Sequence, residues 1–171
     1  TKVYCDIADV NIIKKYNKMD LVKGFTTNPS LMRKAGAKNY ENYAKNILRV
    51  SKNKPVSLEV FADDDISMIK QAKKIDSWGK NVYVKIPVIN SKGKSTNMVI
   101  KQLSNEGIKL NVTAVYSSIQ TKKILKSISK ESKVIISIFA GRYGDAGHDP
   151  VPVIKKSISY SKTFKNVKIL W

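Results

Sequence analysis

Short apolar runs recur along the whole chain at regular intervals, and patterns typical of helices separate most of them. The runs have the length and the β-branched composition of strands. They cover residues 3–8, 24–28, 56–61, 82–88, 110–115, 134–140 and 167–171. Strands that alternate with helices indicate right-handed βαβ units and hence a parallel sheet.

Helix starts are marked after most of these runs. At each start, a residue that favours the N-cap position precedes apolar positions spaced three and four residues apart, and in two cases a proline follows it. The predicted starts are Asn28-Pro29, Asp64-Asp65, Ser95, Ser117 or Ser118, and Asp149-Pro150.

The alternation inside the runs distinguishes a barrel from an open sheet. Strands of an open doubly wound sheet are apolar on both faces, and no G-x-G-x-x-G motif follows the first run to support dinucleotide binding. Here one face is apolar and the other carries polar groups. In the fourth run these faces are Val82, Val84, Ile86 and Val88 against Tyr83, Lys85 and Pro87. The same alternation groups Phe61 with Glu59, and Val115 with Asn111 and Thr113.

We therefore predict a single α/β domain over residues 1–171, of the (β/α)8 TIM-barrel type. Barrel enzymes place their catalytic residues at the C-terminal ends of the strands. In this chain, barrel closure brings together the polar side chains Asp6, Asn28, Glu59, Lys85, Asn111, Thr113 and Ser137.

Lys85 is the most informative of these residues. A lysine within an apolar strand costs desolvation energy unless it is paired or neutral, and a neutral amine is what attacks a carbonyl group. The alternatives are a lysine that extends out of an edge strand, or a buried salt bridge with Glu59. Because two other strands carry an acid on the same face, we favour a catalytic lysine.

Two carboxylates beside one amine permit a division of labour. One can shuttle protons while an imine forms, and the other can take a proton from a substrate hydroxyl as a carbon–carbon bond breaks. The alternative is that Asp6 and Glu59 are only counter-ions of Lys85. We expect no metal, because His148, the only histidine, lies in a loop without a second nitrogen ligand nearby. No organic cofactor is expected either.

The net charge of +19 invites a nucleic-acid or membrane interpretation. Only three of the 32 basic residues are arginine, however, and the lysines are spread over every helical stretch. We therefore expect a solvated basic surface, with no nucleic-acid or membrane partner. The single cysteine, Cys5, and the absence of a signal-peptide pattern favour a cytoplasmic protein.

The motifs on successive runs resemble the transaldolases, especially the small subgroup that includes the bacterial fructose-6-phosphate aldolases. The resemblance covers essentially the whole chain. It rests on CDIADV, GFTTNPSL, LEV, VKIPV, LNVTAVYSSIQ and SIFAGRYGDAG, in that order.

This resemblance implies a role for each matching residue. Lys85 is expected to form a Schiff base with a ketose phosphate, and Asp6 to act as the base for carbon–carbon cleavage. Glu59, with a water positioned by Thr113, is expected to transfer protons during imine formation. Substrate contacts are expected from Thr26, Asn28, Asn111, Ser137 and Phe139, and phosphate binding from Arg142.

Two activities compete within the family. Transaldolases carry Glu and Phe at positions where fructose-6-phosphate aldolases carry Gln and Tyr, and this chain has Glu59 and Phe139. The resemblance thus implies a transaldolase of the pentose phosphate pathway. Such an enzyme transfers a dihydroxyacetone unit from fructose 6-phosphate or sedoheptulose 7-phosphate to an aldose phosphate. Relatives form rings, so we expect a homo-oligomer; the alternative activity is the aldolase.

The chain ends at VKILW, whereas relatives continue through a further strand and helices. The expectation is therefore a C-terminally incomplete barrel with about seven strands, whose edges are unpaired. A rival hypothesis follows, in which the chain is an inactive fragment that binds sugar phosphate without turnover or associates with a partner that completes the barrel.

Overall fold

The computed structural model describes residues 2–171, in which seven strands form one parallel sheet. The strands are β1 (Val3–Asp6), β2 (Val22–Thr26), β3 (Val56–Glu59), β4 (Val82–Pro87), β5 (Leu110–Val115), β6 (Val134–Ile138) and β7 (Val167–Leu170). The helices are α1 (Val10–Asn17), α2 (Pro29–Lys34), α3 (Tyr40–Ser51), α4 (Asp65–Asp76), α5 (Asn97–Asn105), α6 (Ser118–Ser127), α7 (Ala140–Asp145) and α8 (Val151–Ser161). Among these residues, no helix combines the length and the apolar character that a membrane crossing requires.

The order of the strands in the sheet is their order in the chain, from β1 to β7. Every neighbouring pair is parallel, and helices connect successive strands. This architecture confirms the predicted (β/α)8 TIM-barrel type with seven strands. β1 and β7 are the edges of the sheet, and residues from both line a cleft of about 510 Å³.

The hydrophobic core lies between the outer face of the sheet and the helices. The apolar face predicted for β4 is buried, since Val82, Val84 and Ile86 are fully shielded from solvent. Met68 of α4 and Leu103 of α5 belong to the same buried cluster. Burial of each such side chain is worth about 1.5–3 kcal/mol, so the core holds the inner face and its polar residues in place.

Helix capping follows the predicted pattern at most starts. The side chains of Asn28 and Asp64 accept hydrogen bonds from the backbone N–H groups three residues on, both at 2.9 Å. Ser117 forms a capping box with Gln120. The prediction of a start at Ser95 is wrong by one residue: Thr96 precedes α5, and its hydroxyl donates to the Pro87 carbonyl instead.

The predicted starts do not include α1, α3 or α7. Two of these helices nevertheless carry the same signal, because Asp9 caps α1 and Asn39 caps α3. The residue before α7 is Phe139, which offers no side-chain cap.

A β-bulge near the end of β5 overturns the predicted orientation of Val115. Val112 pairs with Ile136 and Val115 pairs with Ile138, so three steps along β5 match two along β6. The extra residue is Ala114, which adopts a positive φ of 58°. Strict alternation would group Val115 with Thr113, but the extra residue reverses it, and Val115 is buried in the core.

Gly24 of β2 lies where the sheet backbone leaves no room for a side chain. A Cβ atom there would overlap Tyr4 Cε1 and lie 2.9 Å from the Pro55 carbonyl oxygen. Because one of the obstacles is backbone, we expect Gly24→Ala to lower the free energy of unfolding by about 1–3 kcal/mol. Urea denaturation would measure the change. Gly144→Ala is the control, since apart from its chain neighbours and its own helix backbone no atom lies within 4 Å of its Cβ position. An equal loss in both variants would contradict the prediction.

Candidate active site

A cavity of about 340 Å³ opens at the C-terminal ends of the strands. Its lining combines polar side chains of the inner face with aromatic and glycine residues that follow β6. The residues are Tyr4, Asp6, Thr26, Asn28, Lys85, Thr113, Ser137, Ile138, Phe139, Ala140, Gly141, Arg142, Leu170 and Trp171. The curled sheet therefore brings together side chains that are far apart in the sequence.

Lys85 lies on β4 directly beside Glu59 of β3, with which it pairs in register. The lysine is only 7% exposed. Its Nζ lies 3.2 Å from Glu59 Oε2 and donates to the Thr27 carbonyl oxygen at 3.3 Å. A carboxylate at this distance is close enough to exchange a proton with the lysine amine.

Asp6 occupies the end of β1 and pairs in register with Thr26 of β2. The Thr26 hydroxyl donates to Asp6 Oδ1 at 2.7 Å. Asp6 remains exposed to solvent, whereas Glu59 is partly buried and paired with Lys85. The two carboxylates thus have different surroundings, which separate roles in acid–base chemistry require.

A buried hydrogen-bond chain links three strands behind the cavity. Asn111 is completely buried, and its side-chain amide donates to Ser57 Oγ at 2.8 Å. Its Oδ1 accepts from Ser137 Oγ at 2.7 Å. Ser57, two positions before Glu59 on the inner face of β3, was not predicted as a site residue. The alternation of β3 could have identified it, since a serine between Val56 and Leu58 shares the face of Glu59.

Thr113 lines the cavity, and its hydroxyl is buried. Its Oγ1 has no hydrogen-bond partner among residues 2–171, although a buried hydroxyl without a partner is costly. Thr113 directly precedes Ala114 at the bulge of β5. Bulges are common beside active sites because they change the direction of side chains.

Arg142 and Phe139 border the cavity on the side of β6 and α7. The Arg142 guanidinium lies 5.2 Å from the centre of the Phe139 ring, within the range of a cation–π contact. The Phe139 ring in turn meets Tyr116 edge to face, with centroids 5.6 Å apart. A guanidinium at the rim of a polar cavity is suited to bind a phosphate group.

Most of the predicted site residues line this one cavity. Glu59 and Asn111 contact lining residues directly. His148 lies elsewhere and packs against Tyr143, with ring centroids 4.9 Å apart. Phe61, which strand alternation grouped with Glu59, lies beyond the end of β3, is 52% exposed and packs on Tyr40. In residues 2–171, no three His, Cys, Asp or Glu side chains are grouped closely enough to bind a metal ion.

The fold defines a (β/α)8-type protein in which one lysine and two carboxylates lie toward the C-terminal ends of the strands. The family model described as Transaldolase/Fructose-6-phosphate aldolase matches residues 3–171. The chain belongs to this family.

Curated relatives agree with this assignment. The chain is 35% identical over 163 residues to a probable transaldolase of Dehalococcoides mccartyi, covering 95% of this chain and 72% of the relative. It is 40% identical over 155 residues to a probable transaldolase of Methanococcus vannielii, covering 91% and 67%. A probable transaldolase of a Sulfurihydrogenibium species is 38% identical over 167 residues, with 96% and 72% covered.

Two solved structures share the fold at low sequence identity. Dihydrodipicolinate synthase from Rhodopseudomonas palustris superposes with a TM-score of 0.58 at 15% identity, covering 99% of this chain and 63% of that one. The OMP decarboxylase of Leishmania donovani gives a TM-score of 0.53 at 12% identity, covering 98% and 83%. At these identities the similarity concerns the fold alone.

Proposed function

We propose that the chain is a transaldolase that works through a Schiff base on Lys85. It transfers a dihydroxyacetone unit from fructose 6-phosphate or sedoheptulose 7-phosphate to an aldose phosphate. The observation that carries the proposal is the buried Lys85 amine, 3.2 Å from the Glu59 carboxylate and open to the cavity that Asp6 borders.

The first stage is imine formation. Glu59 takes a proton from Lys85, and the neutral Nζ attacks the ketone carbon of the sugar to give a carbinolamine. Loss of the hydroxyl as water then leaves the iminium ion, with Glu59 returning the proton that the departing oxygen needs. The unpartnered hydroxyl of Thr113 supports a role in orienting a water molecule for this transfer.

The second stage is cleavage. Asp6 accepts the proton of the substrate hydroxyl next to the breaking bond, and the aldehyde of an aldose phosphate forms and leaves. The electron pair of the broken carbon–carbon bond moves into the iminium and yields an enamine on Lys85. The hydrogen bond from Thr26 to Asp6 Oδ1, at 2.7 Å, leaves the second carboxylate oxygen available for the substrate.

The remaining cavity residues are proposed to hold the sugar. Arg142 binds the phosphate, and Asn28 and Ser137 contact the hydroxyl groups of the retained fragment. Asn111 is fully buried and bonded to Ser57 and Ser137. Asn111 is therefore proposed to assist binding of the substrate hydroxyl groups mainly by orienting the Ser137 side chain.

Trapping of the imine on Lys85 with borohydride tests this proposal. Sodium borohydride reduces an imine to a stable secondary amine, so the folded chain is incubated with fructose 6-phosphate and reductant and then analysed by intact-mass and peptide mass spectrometry. We expect a substrate-derived adduct on Lys85. A folded chain that gives no adduct would favour the inactive, sugar-phosphate-binding alternative.

Acceptor dependence distinguishes the two family activities. Glu59 and Phe139 favour transfer over simple aldol cleavage. We therefore expect product formation from fructose 6-phosphate to require an aldose phosphate such as erythrose 4-phosphate. Release of free dihydroxyacetone at the same rate without an acceptor would identify the fructose-6-phosphate aldolase instead. We further propose that the protein acts in the cytoplasm as part of the pentose phosphate pathway and that it forms a homo-oligomer.

Thr113→Val tests the proposed water-orienting hydroxyl. The substitution keeps the shape of the side chain and removes an oxygen that bonds to no residue from 2 to 171, so the free energy of unfolding should be unchanged or higher. We expect kcat to fall about 10- to 100-fold, because a hydrogen bond used in the reaction is worth about 1–3 kcal/mol. Steady-state kinetics and urea denaturation measure both effects. Lower stability with unchanged kcat would assign the hydroxyl a structural role.

A further inference from the structure

The C-terminal end of β3, where Glu59 lies, is held from outside the sheet by a tyrosine of α3. The Tyr40 hydroxyl donates a hydrogen bond to the Glu59 carbonyl oxygen at 2.9 Å. The pairing of β2 with β3 ends at Thr26 and Ser57, followed by one hydrogen bond from the Thr27 N–H to the Ser57 carbonyl. Tyr40 therefore satisfies a carbonyl group that lies past the end of the β2 pairing.

Tyr40 is itself fixed by aromatic contacts. Its ring meets Phe61 edge to face with centroids 4.4 Å apart, and it meets Trp78 at 5.8 Å. Burial raises the pKa of the Tyr40 hydroxyl well above its usual value, so the group stays protonated and can donate a hydrogen bond at neutral pH. The Tyr40 hydroxyl is thus available as a donor to the Glu59 carbonyl oxygen.

A glutamine of α4 fixes the residues that follow Glu59. Gln71 Oε1 accepts hydrogen bonds from the N–H groups of Phe61 at 2.8 Å and Ala62 at 3.0 Å. On the other side of β3, the Val60 N–H donates to the Lys85 carbonyl oxygen at 3.2 Å. Hydrogen bonds with Tyr40, Gln71 and Lys85 therefore fix the backbone around Glu59. The bond from Tyr40 is the one of these that is made to the Glu59 carbonyl oxygen.

We propose that Tyr40 is a positioning residue for Glu59, and that its hydroxyl sets the distance between the Glu59 carboxylate and the Lys85 amine. This inference rests on the proposed Schiff-base function. The carboxylate and the amine are 3.2 Å apart, which leaves little tolerance, since a misplacement of about 1 Å at a reacting group can cost about 100-fold in rate. Tyr40 does not line the cavity of Lys85, so it acts only through Glu59.

Tyr40→Phe is the appropriate variant, because it keeps the ring that packs on Phe61 and Trp78 and removes only the hydroxyl. We expect the rate of borohydride trapping with fructose 6-phosphate to fall about 10-fold. The KM for fructose 6-phosphate, from steady-state turnover, should change by less than about 3-fold. Tyr43→Phe is the matched control. Tyr43 lies one turn further along α3, and its hydroxyl bonds to the carbonyl oxygens of Ala8 and Ala35, so its trapping rate should stay within about 2-fold of the original.

A double-mutant cycle with Glu59→Gln shows whether the effect passes through the carboxylate. In the Glu59→Gln background, Tyr40→Phe should change the trapping rate by less than about 2-fold. An undiminished 10-fold loss in that background, or no loss in Tyr40→Phe alone, would overturn the positioning role. These results are distinct from failure of the proposed function, which would appear as absence of any Lys85 adduct in the unsubstituted chain.

Discussion

Lys85→Met is expected to reduce transaldolase turnover by at least about 10⁴-fold and to abolish borohydride trapping completely. The side chain keeps a similar length but loses the amine that forms the covalent bond to the substrate, and no other group can replace a missing nucleophile. Coupled assays with fructose 6-phosphate and erythrose 4-phosphate, together with intact-mass spectrometry, measure both effects.

Loss of the nucleophile has to be separated from loss of folding. Lys85 is 7% exposed and paired with Glu59, and replacing one partner of a partly buried pair can lower stability, so circular dichroism and urea denaturation must accompany the assay. Lys23→Met is the control, because Lys23 also belongs to a strand but is exposed to solvent. A Lys85→Met chain that still forms a substrate adduct would show that another lysine is the nucleophile.

The fold could be predicted largely because strand periodicity is a local property. The residues at i−2 and i+2 share a face with residue i, and this local signal located all seven strands to within two residues. It also placed Lys85 and Asp6 on the inner face, where both line the cavity. The capping residues Asn28 and Asp64 likewise act within three residues of themselves.

Three features that escaped prediction take their structural role from neighbouring strands or from distant contacts. The bulge at Ala114 is visible only in the pairing of β5 with β6, and it reverses the orientation of Val115. The position of Phe61 depends on Gln71 and Tyr40, which lie in different helices. Ser57 acquires its role through Asn111, which is 54 residues away in the chain.

The two carboxylates differ in a way that the sequence does not reveal. Glu59 is tied to the amine of Lys85 at 3.2 Å, whereas Asp6 is exposed and receives its hydrogen bond from Thr26. The proposed mechanism needs this asymmetry, since one group must serve the nitrogen and the other a substrate hydroxyl. Substitution of each carboxylate by its amide should therefore interrupt the reaction at a different stage.

Asp6→Asn is expected to lower kcat by about 10²- to 10⁴-fold while borohydride trapping continues at nearly the original rate. The asparagine oxygen can still accept the hydrogen bond from Thr26, so the geometry at the end of β1 is kept and only the base is lost. Imine formation at Lys85 depends on Glu59 and should proceed. The adduct recovered from Asp6→Asn should therefore carry the whole sugar phosphate, whereas the unsubstituted chain should also yield the dihydroxyacetone unit.

Glu59→Gln is the counterpart that makes this result specific. It should slow the appearance of any adduct, because the amide cannot take the proton from Lys85. Once an adduct has formed, Asp6 is still present to cleave it, so the dihydroxyacetone unit should be found on Lys85. If Asp6→Asn instead accumulates the dihydroxyacetone unit, and Glu59→Gln accumulates the intact sugar phosphate, the two carboxylates have the opposite assignment. The mass of the trapped species therefore assigns each carboxylate to its step. Loss of the cleavage base leaves the whole sugar phosphate on Lys85, whereas loss of the base for imine formation still allows the dihydroxyacetone unit to be found there.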